Sequence, residues 1–310
     1  MTTSDLPQVI CVARARIPTT QGPDIFLHLY SNNRDNKEHL AIVFGEDIRS
    51  RTLFQKRSPT ETQQDRMIRG AYIGKLRPGR TIADRDDHLG LELKFDSKTG
   101  QLIFDPSTTW DGKQNNTLVR IHSECYTGEN AWSARCDCGE QFDRAGKLIA
   151  CKHEPETGIQ GGDGHGVMVY LRQEGRGIGL GEKLKAYNLQ DLGADTVQAN
   201  VLLNHPVDAR DFSIGKAILL DLGICNVRLL TNNPDKIKQV EHEHLINCVE
   251  RVPMVPIHWQ NENEGIDSKE IEGYLRTKIE RMGHLLQKPL NLHTATTTTT
   301  TNIPSKQETM

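Results

Sequence analysis

Three cysteines, Cys125, Cys136 and Cys138, fall within 14 residues of chain. Two of the thiols stand one residue apart, and the third lies upstream across a Gly128-Glu129-Asn130 turn, so all three can converge on one ion. Soft thiolates select zinc or an iron–sulfur cluster over hard cations. Structural zinc sites are closed by four protein ligands, whereas catalytic ones keep a position open for water. His122 is the nearest further donor, but it sits three residues before Cys125 on an expected strand and should face away from it. Spacing alone leaves three readings open: a catalytic zinc, a structural zinc completed from afar, and three buried free thiols.

A second constellation is Arg172-Gln173-Glu174-Gly175-Arg176-Gly177-Ile178-Gly179-Leu180-Gly181, between a strand-like run and a helix-like one. Glycines there let backbone N–H groups approach an anion, and the following helix N-terminus adds favourable partial charge. Arg176 adds a fork suited to phosphate or a purine edge. A dinucleotide fingerprint is excluded, because its third glycine would fall on Leu180 or Glu182. A P-loop is excluded too, since no Gly-Lys-Ser/Thr follows. A tight turn using glycine for steric relief remains the plainer alternative. Asp208-Ala209-Arg210-Asp211 precedes a helix, and Thr231-Asn232-Asn233-Pro234-Asp235-Lys236 follows a strand. Each reads as an ordinary cap and turn, or as a mouth offering charge to a phosphate.

These residues must be positioned by alternating strands and helices. Strands are expected at 9–15, 39–44, 118–124, 167–173 and 226–231, with a polar, turn-rich stretch joining the first two. Helices are expected at 141–150, from about 180 to Gly193, at 212–223, after Asn233-Pro234, and at 269–286. In the second of these, Leu180, Leu184 and Tyr187 fall at i, i+4 and i+7, an amphipathic stripe. The pattern predicts one α/β (α+β) domain, a mixed sheet with flanking helices and a zinc site. The catalytic domain is expected at 1–47 and 117–290. Residues 48–116 are weakly periodic, with hairpin-like alternation around Lys98-Thr99-Gly100, and read as an insertion, part ordered and part mobile. Residues 291–310, with a threonine run, read as a disordered tail.

The 310-residue chain has a net charge of -3, which argues against a general nucleic-acid binder. No apolar run approaches the roughly 18 residues of a membrane span, and no secretory signal opens the chain, so a cytoplasmic location is expected. Seven cysteines, an odd number, argue for reduced thiols.

Taken together, VRIHSECYTG…RCDCGEQ, YLRQEGRGIGLGEKLKAYNLQDLGADTVQAN and VRLLTNNPDKI resemble GTP cyclohydrolase II, in the longer fungal-type form. The resemblance is strong over 117–286 and weaker over 9–47. It implies one Zn2+ per subunit on Cys125, Cys136 and Cys138, with water in the open position. It also implies a GTP pocket from Arg120, Ile121, His122, Ser123, Glu124, Gln141, Glu174, Gly175, Arg176, Thr196, Thr231 and Lys236. Asp208 matches the residue called proton acceptor, Arg210 the one called nucleophile, and Tyr187 a tyrosine near the reacting centre. The family further implies a homodimer and Mg2+ with the triphosphate. The implied reaction opens the guanine imidazole ring of GTP, releasing formate and pyrophosphate as the first step of riboflavin biosynthesis. A guanidinium with pKa above ~12 is a poor nucleophile, so Arg210 has phosphate clamping as its alternative role. Glu124 and Tyr187 are both candidates for the assisting acid or base. A divergent relative acting in pyrimidine breakdown or nucleotide binding is the alternative function. A zinc-stabilised nucleic-acid module would need a fourth local ligand and a basic face, neither of which the sequence has.

Overall fold

From residue 117 onward the strands TLVRIHS and GVMVYL are apolar at successive positions, and such strands must be covered on both faces. The computed structural model describes residues 6–20, 22–86, 91–92, 94–97, 102–103, 116–206, 208–241, 245–261 and 264–287, and it shows that cover. Strands β1 (Val9–Ile17), β2 (Ile25–Asn32) and β3 (His39–Phe44) come first, followed by helices α1 (Arg51–Phe54) and α2 (Gln63–Ile68). Two short ribbons follow, β4 (Arg85–Asp86) with β5 (Leu91–Glu92) and β6 (Lys94–Phe95) with β7 (Leu102–Ile103). Then come β8 (Thr117–Ser123), α3 (Tyr126–Asn130), α4 (Cys138–Ala150), β9 (Gly166–Leu171), α5 (Leu180–Asp191) and α6 (Thr196–Leu202). The described elements end with α7 (Ser213–Asp221), β10 (Asn226–Leu230), α8 (Pro234–Val240), β11 (Asn247–Val252) and α9 (Lys269–Glu280).

Seven strands form one mixed sheet in the order β1-β2-β3-β9-β8-β10-β11. The pairs from β1 to β9 are antiparallel, and β9, β8, β10 and β11 run parallel. On one face Val119, Ile121, Val169, Leu171 and Leu229 pack with Ile214 and Ile218 from α7 and with Leu222 at its C-cap. On the other, Leu118, Met168 and Leu230 pack with Ala145, Leu148 and Ile149 from α4. The α/β expectation with flanking helices therefore holds. The carboxyl ends of parallel strands are where such sheets open a crevice for ligands.

Two expectations need correction. The stretch between the first two strands is itself a strand, β2, whose His28 and Tyr30 are fully buried despite their polar character. The stripe on α5 is not a core stripe: Leu184 is 47% exposed, and Ala186 is the one buried residue of that helix. Its inward face carries Lys183, Ala186, Tyr187 and Gln190 instead, spaced as one helical face and turned to a cavity.

The first part of the 48–116 stretch packs into the molecule. Leu53, Phe54 and Ala71 belong to the main core, and the Arg14 guanidinium lies 4.2 Å from the Phe26 ring centroid and 4.8 Å from that of Tyr72. The buried Asp221 carboxylate at the end of α7 accepts from Tyr30 Oη at 2.9 Å, Ser50 Oγ at 2.5 Å and Thr52 N at 2.8 Å. Three donors satisfy a charge that burial would otherwise make costly. The strands β6 and β7 flank the expected hairpin, while its tip at 98–100 and the tail at 291–310 lie outside the described residues. Among the described residues no helix is long and apolar enough to cross a membrane.

Candidate active site

At the carboxyl end of β8 the chain turns through Glu124, and Cys125 opens the short helix α3. The Glu129 carboxylate holds this turn, accepting from Cys125 N at 2.8 Å and pairing with His122 Nε2 at 2.9 Å. The chain returns so that Cys138 begins α4. The sulfurs of Cys125, Cys136 and Cys138 then lie within 4.8 Å of one another, the sole such metal-capable group among the described residues. His122 is not part of it; its ring stacks on Tyr170 at 5.8 Å.

The chain around the sulfurs is shaped to let them meet. A Cβ added at Gly128 would stand 2.9 Å from Cys136 Sγ and 3.3 Å from Cys125 Sγ. Hydrogen bonds from the other two thiols, aided by the Lys183 charge, pull the Cys125 thiol down, while the same hydrogen bond with Cys125 pushes Cys136 up. Soft, largely buried and convergent, this donor set fits a thiophilic divalent metal. Gly128→Ala is expected to give a folded protein that retains markedly less metal after dialysis against a weak chelator. Metal content by elemental analysis checks this, and wild-type retention would refute it.

Beside the cysteines lies a cavity of about 340 Å³. It gathers Ser123, Glu124, Glu174, Gly175, Arg176, Tyr187, Thr196 and Arg210, all expected from sequence, around Cys125, Cys136 and Cys138. Sequence reasoning missed several walls: Lys183 and Gln190 on α5, Asn200 on α6, and Lys269, Glu270, Tyr274 and Thr277 on α9. The spacing of Lys183, Tyr187 and Gln190 was the available signal on α5, whereas α9 reaches the site only through tertiary packing.

The glycine-rich turn works by close approach. Gly177 has φ +93, and an added Cβ would lie 2.9 Å from Ala209 O. The turn is also bonded to the Asp208 loop, with Ala209 N donating to Arg176 O at 3.1 Å. Arg176 is thereby carried against α9, its guanidinium 5.9 Å from the Tyr274 ring centroid.

The remaining expected residues are not among those that line the cavity. Ile121 is core, and Gln141 Nε2 donates to Met254 O at 3.0 Å. Thr231 Oγ1 accepts from Asn233 N at 3.0 Å, at the cap of α8. Arg120 Nη1 donates to Leu230 O, and Lys236 Nζ to Ile121 O, both at 2.8 Å. Asp208 grips Arg210, whose Nε donates at 2.8 Å with a second bond from Nη2.

This corner is rich in cations. Burial, and after it the charges of Arg120 and Arg210, push the Lys236 pKa well below the usual lysine value. For Arg210 burial works against the charge, but the hydrogen bonds and charge of Asp208 prevail and its pKa rises. Asp208 is likewise held down by Arg210 against the opposing effect of burial, so it stays ionised and weakly basic. Burial raises the Tyr187 phenol, whose hydroxyl lies 3.0 Å from Thr127 Oγ1, so it stays protonated at neutral pH.

Residues 97–253 match the family model described as GTP cyclohydrolase II. The chain is 79% identical over 305 residues to GTP cyclohydrolase-2 of Saccharomyces cerevisiae, covering 98% of this chain and 88% of that protein. It is 69% identical over 288 residues to GTP cyclohydrolase-2 of Meyerozyma guilliermondii, covering 93% and 82%. A riboflavin biosynthesis protein of Mycobacteroides abscessus is 47% identical over 175 residues, 56% of this chain and 37% of that protein.

Proposed function

The chain belongs to the GTP cyclohydrolase II family, and from that premise we propose that it opens the imidazole ring of GTP by hydrolysis. Formate leaves from C8 and pyrophosphate from the triphosphate. The product is 2,5-diamino-6-(5-phosphoribosylamino)pyrimidin-4-one, which begins riboflavin biosynthesis. The observation that carries this reading is the meeting of a three-cysteine cluster with Arg176 and Arg210 around one cavity of nucleotide-compatible size. Zinc held by Cys125, Cys136 and Cys138 would supply an activated water for attack on the ring. Tyr187, a protonated phenol on the cavity wall, is placed to give a proton to a nitrogen as the ring opens. Glu124, also on the wall, is the alternative partner for proton transfer.

Arg210 acts as a phosphate clamp in this reading. Its pairing with Asp208 stabilises the guanidinium and opposes the neutral form a nucleophile needs. Arg176 and Arg210 take the triphosphate, with Mg2+ sharing its charge, and the half-buried Arg120 and buried Lys236 add a positive field nearby. Asp208 orients Arg210. We also assign the catalytic domain to 1–47 and 117–290, with 48–116 as an insertion and 291–310 as a tail. A homodimer in the cytoplasm completes the reading.

The test is incubation with GTP and Mg2+ while formate, pyrophosphate and the pyrimidine are all measured. Nucleotide turnover without formate would overturn the proposal in favour of a divergent relative.

Lys236 gives a pH-dependent expectation. Its pKa is depressed in the free protein, so the arriving triphosphate must raise it. Binding therefore takes up a proton in the pH window between the free and bound values. Above the free value, affinity falls as pH rises. Calorimetry of a non-hydrolysable GTP analogue in buffers of different ionisation heat should show this uptake, and Lys236→Met should remove it. Equal uptake by both proteins would refute the assignment.

A further inference from the structure

Three thiolates around a divalent cation leave one net negative charge, and thiolates donate strongly, which weakens a metal as an acid towards water. A group that relieves this charge from outside the coordination sphere would restore the acidity. Lys183 lies where such a group must be. Its ammonium is 3.1 Å from Cys125 Sγ and 2.8 Å from Glu174 Oε1, and its side chain is 12% exposed. The opposite wall of its niche is the Tyr187 ring, 5.8 Å from the ammonium.

Glu174 is fully engaged in holding this arrangement. Its carboxylate accepts from Lys183, from Gly175 N at 2.6 Å, and from Tyr126 N at 2.5 Å. Tyr126 is the residue after Cys125, so one carboxylate grips both the lysine and the backbone that carries the thiol. Glu174 is one of the residues that family resemblance places in the GTP pocket, yet here both its oxygens already have donors.

Resting on the reading that the cysteine trio holds a divalent metal, we propose that Lys183 is a positioning residue of the metal centre. Its ammonium donates to the Cys125 sulfur from outside the coordination sphere, offsets the excess thiolate charge, and is fixed there by Glu174. Outer-sphere partners of this kind typically change metal-site activity by about 10- to 100-fold when removed. A hydrogen-bonded sulfur gives up charge less readily, so the bond has an optical signature independent of turnover.

The experiment substitutes cobalt(II) into the full chain and compares wild type, Lys183→Met, Lys183→Arg and Glu174→Gln. Loss of the ammonium should move the sulfur-to-cobalt charge-transfer bands to longer wavelength in Lys183→Met. Lys183→Arg should stay near the wild-type position, and Glu174→Gln should fall between. With zinc, formate release by Lys183→Met should drop about 10- to 100-fold while KM for GTP changes little. Bands that coincide in wild type and Lys183→Met would overturn the proposal. If Lys183→Met fails to fold, a Glu174→Gln spectrum identical to wild type would overturn it equally. A wild-type protein with no thiolate–cobalt bands would instead overturn the metal reading on which the proposal rests.

Discussion

Cys136→Ser is expected to lower formate release by several orders of magnitude while leaving the sheet and the cavity folded. A serine hydroxyl is a poor ligand for a thiophilic ion, and Cys125 and Cys138 alone would not retain it. Cys136 touches the cluster through its sulfur, 3.6 Å from Cys125 Sγ, and takes no part in the main sheet core. Loss of metal should therefore not be loss of fold. Because C8 and the α-phosphorus lie at opposite ends of the nucleoside, some pyrophosphate release with GMP as product should persist. Elemental analysis, circular dichroism and separate assays for the two small products check this. A folded, metal-free Cys136→Ser protein that releases formate at the wild-type rate would end the scheme.

The second large effect is expected at the other end of the substrate. Arg210→Ala should cut pyrophosphate release by roughly 10²- to 10³-fold, as removal of one preorganised donor to a developing charge commonly does. The metal should stay bound, since Arg210 donates to Asp208 and touches no cysteine sulfur. Its fate in ring opening is informative in itself. Retained formate release would show that the ring can open first, and lost release would place phosphate chemistry first. Arg210→Lys separates the two roles, for a lysine keeps charge without the planar fork. Partial rescue by lysine fits a clamp, and near-wild-type pyrophosphate release by Arg210→Ala would refute the assignment.

Much of the site was legible because its residues are local in sequence. Cys125 starts α3 and Cys136 and Cys138 lie at the start of α4, and Glu174, Gly175 and Arg176 share one turn. What the sequence hid was set by tertiary burial. β2 reads as polar because His28 and Tyr30 sit among its inward residues; burial drives the His28 pKa down to about 3, so the ring packs as a neutral group. The start of α6 did carry a local signal, the capping box between Asp195 and Gln198, which the composition of the surrounding turn obscured. Lys183 was overlooked because a lysine on a helix is ordinarily a solvated one. α5 was misjudged for a related reason: its leucines suggested the inward stripe, but the inward stripe is the one facing substrate space.

The order of the walls along the chain bears on how the protein comes into being. The cysteine cluster is complete by Cys138, and the strands that support it are complete by β11. The cavity is not, because Lys269, Glu270, Gly273, Tyr274 and Thr277 of α9 close its far side. During synthesis from the amino terminus, all three cysteines are therefore made well before the helix that closes the cavity.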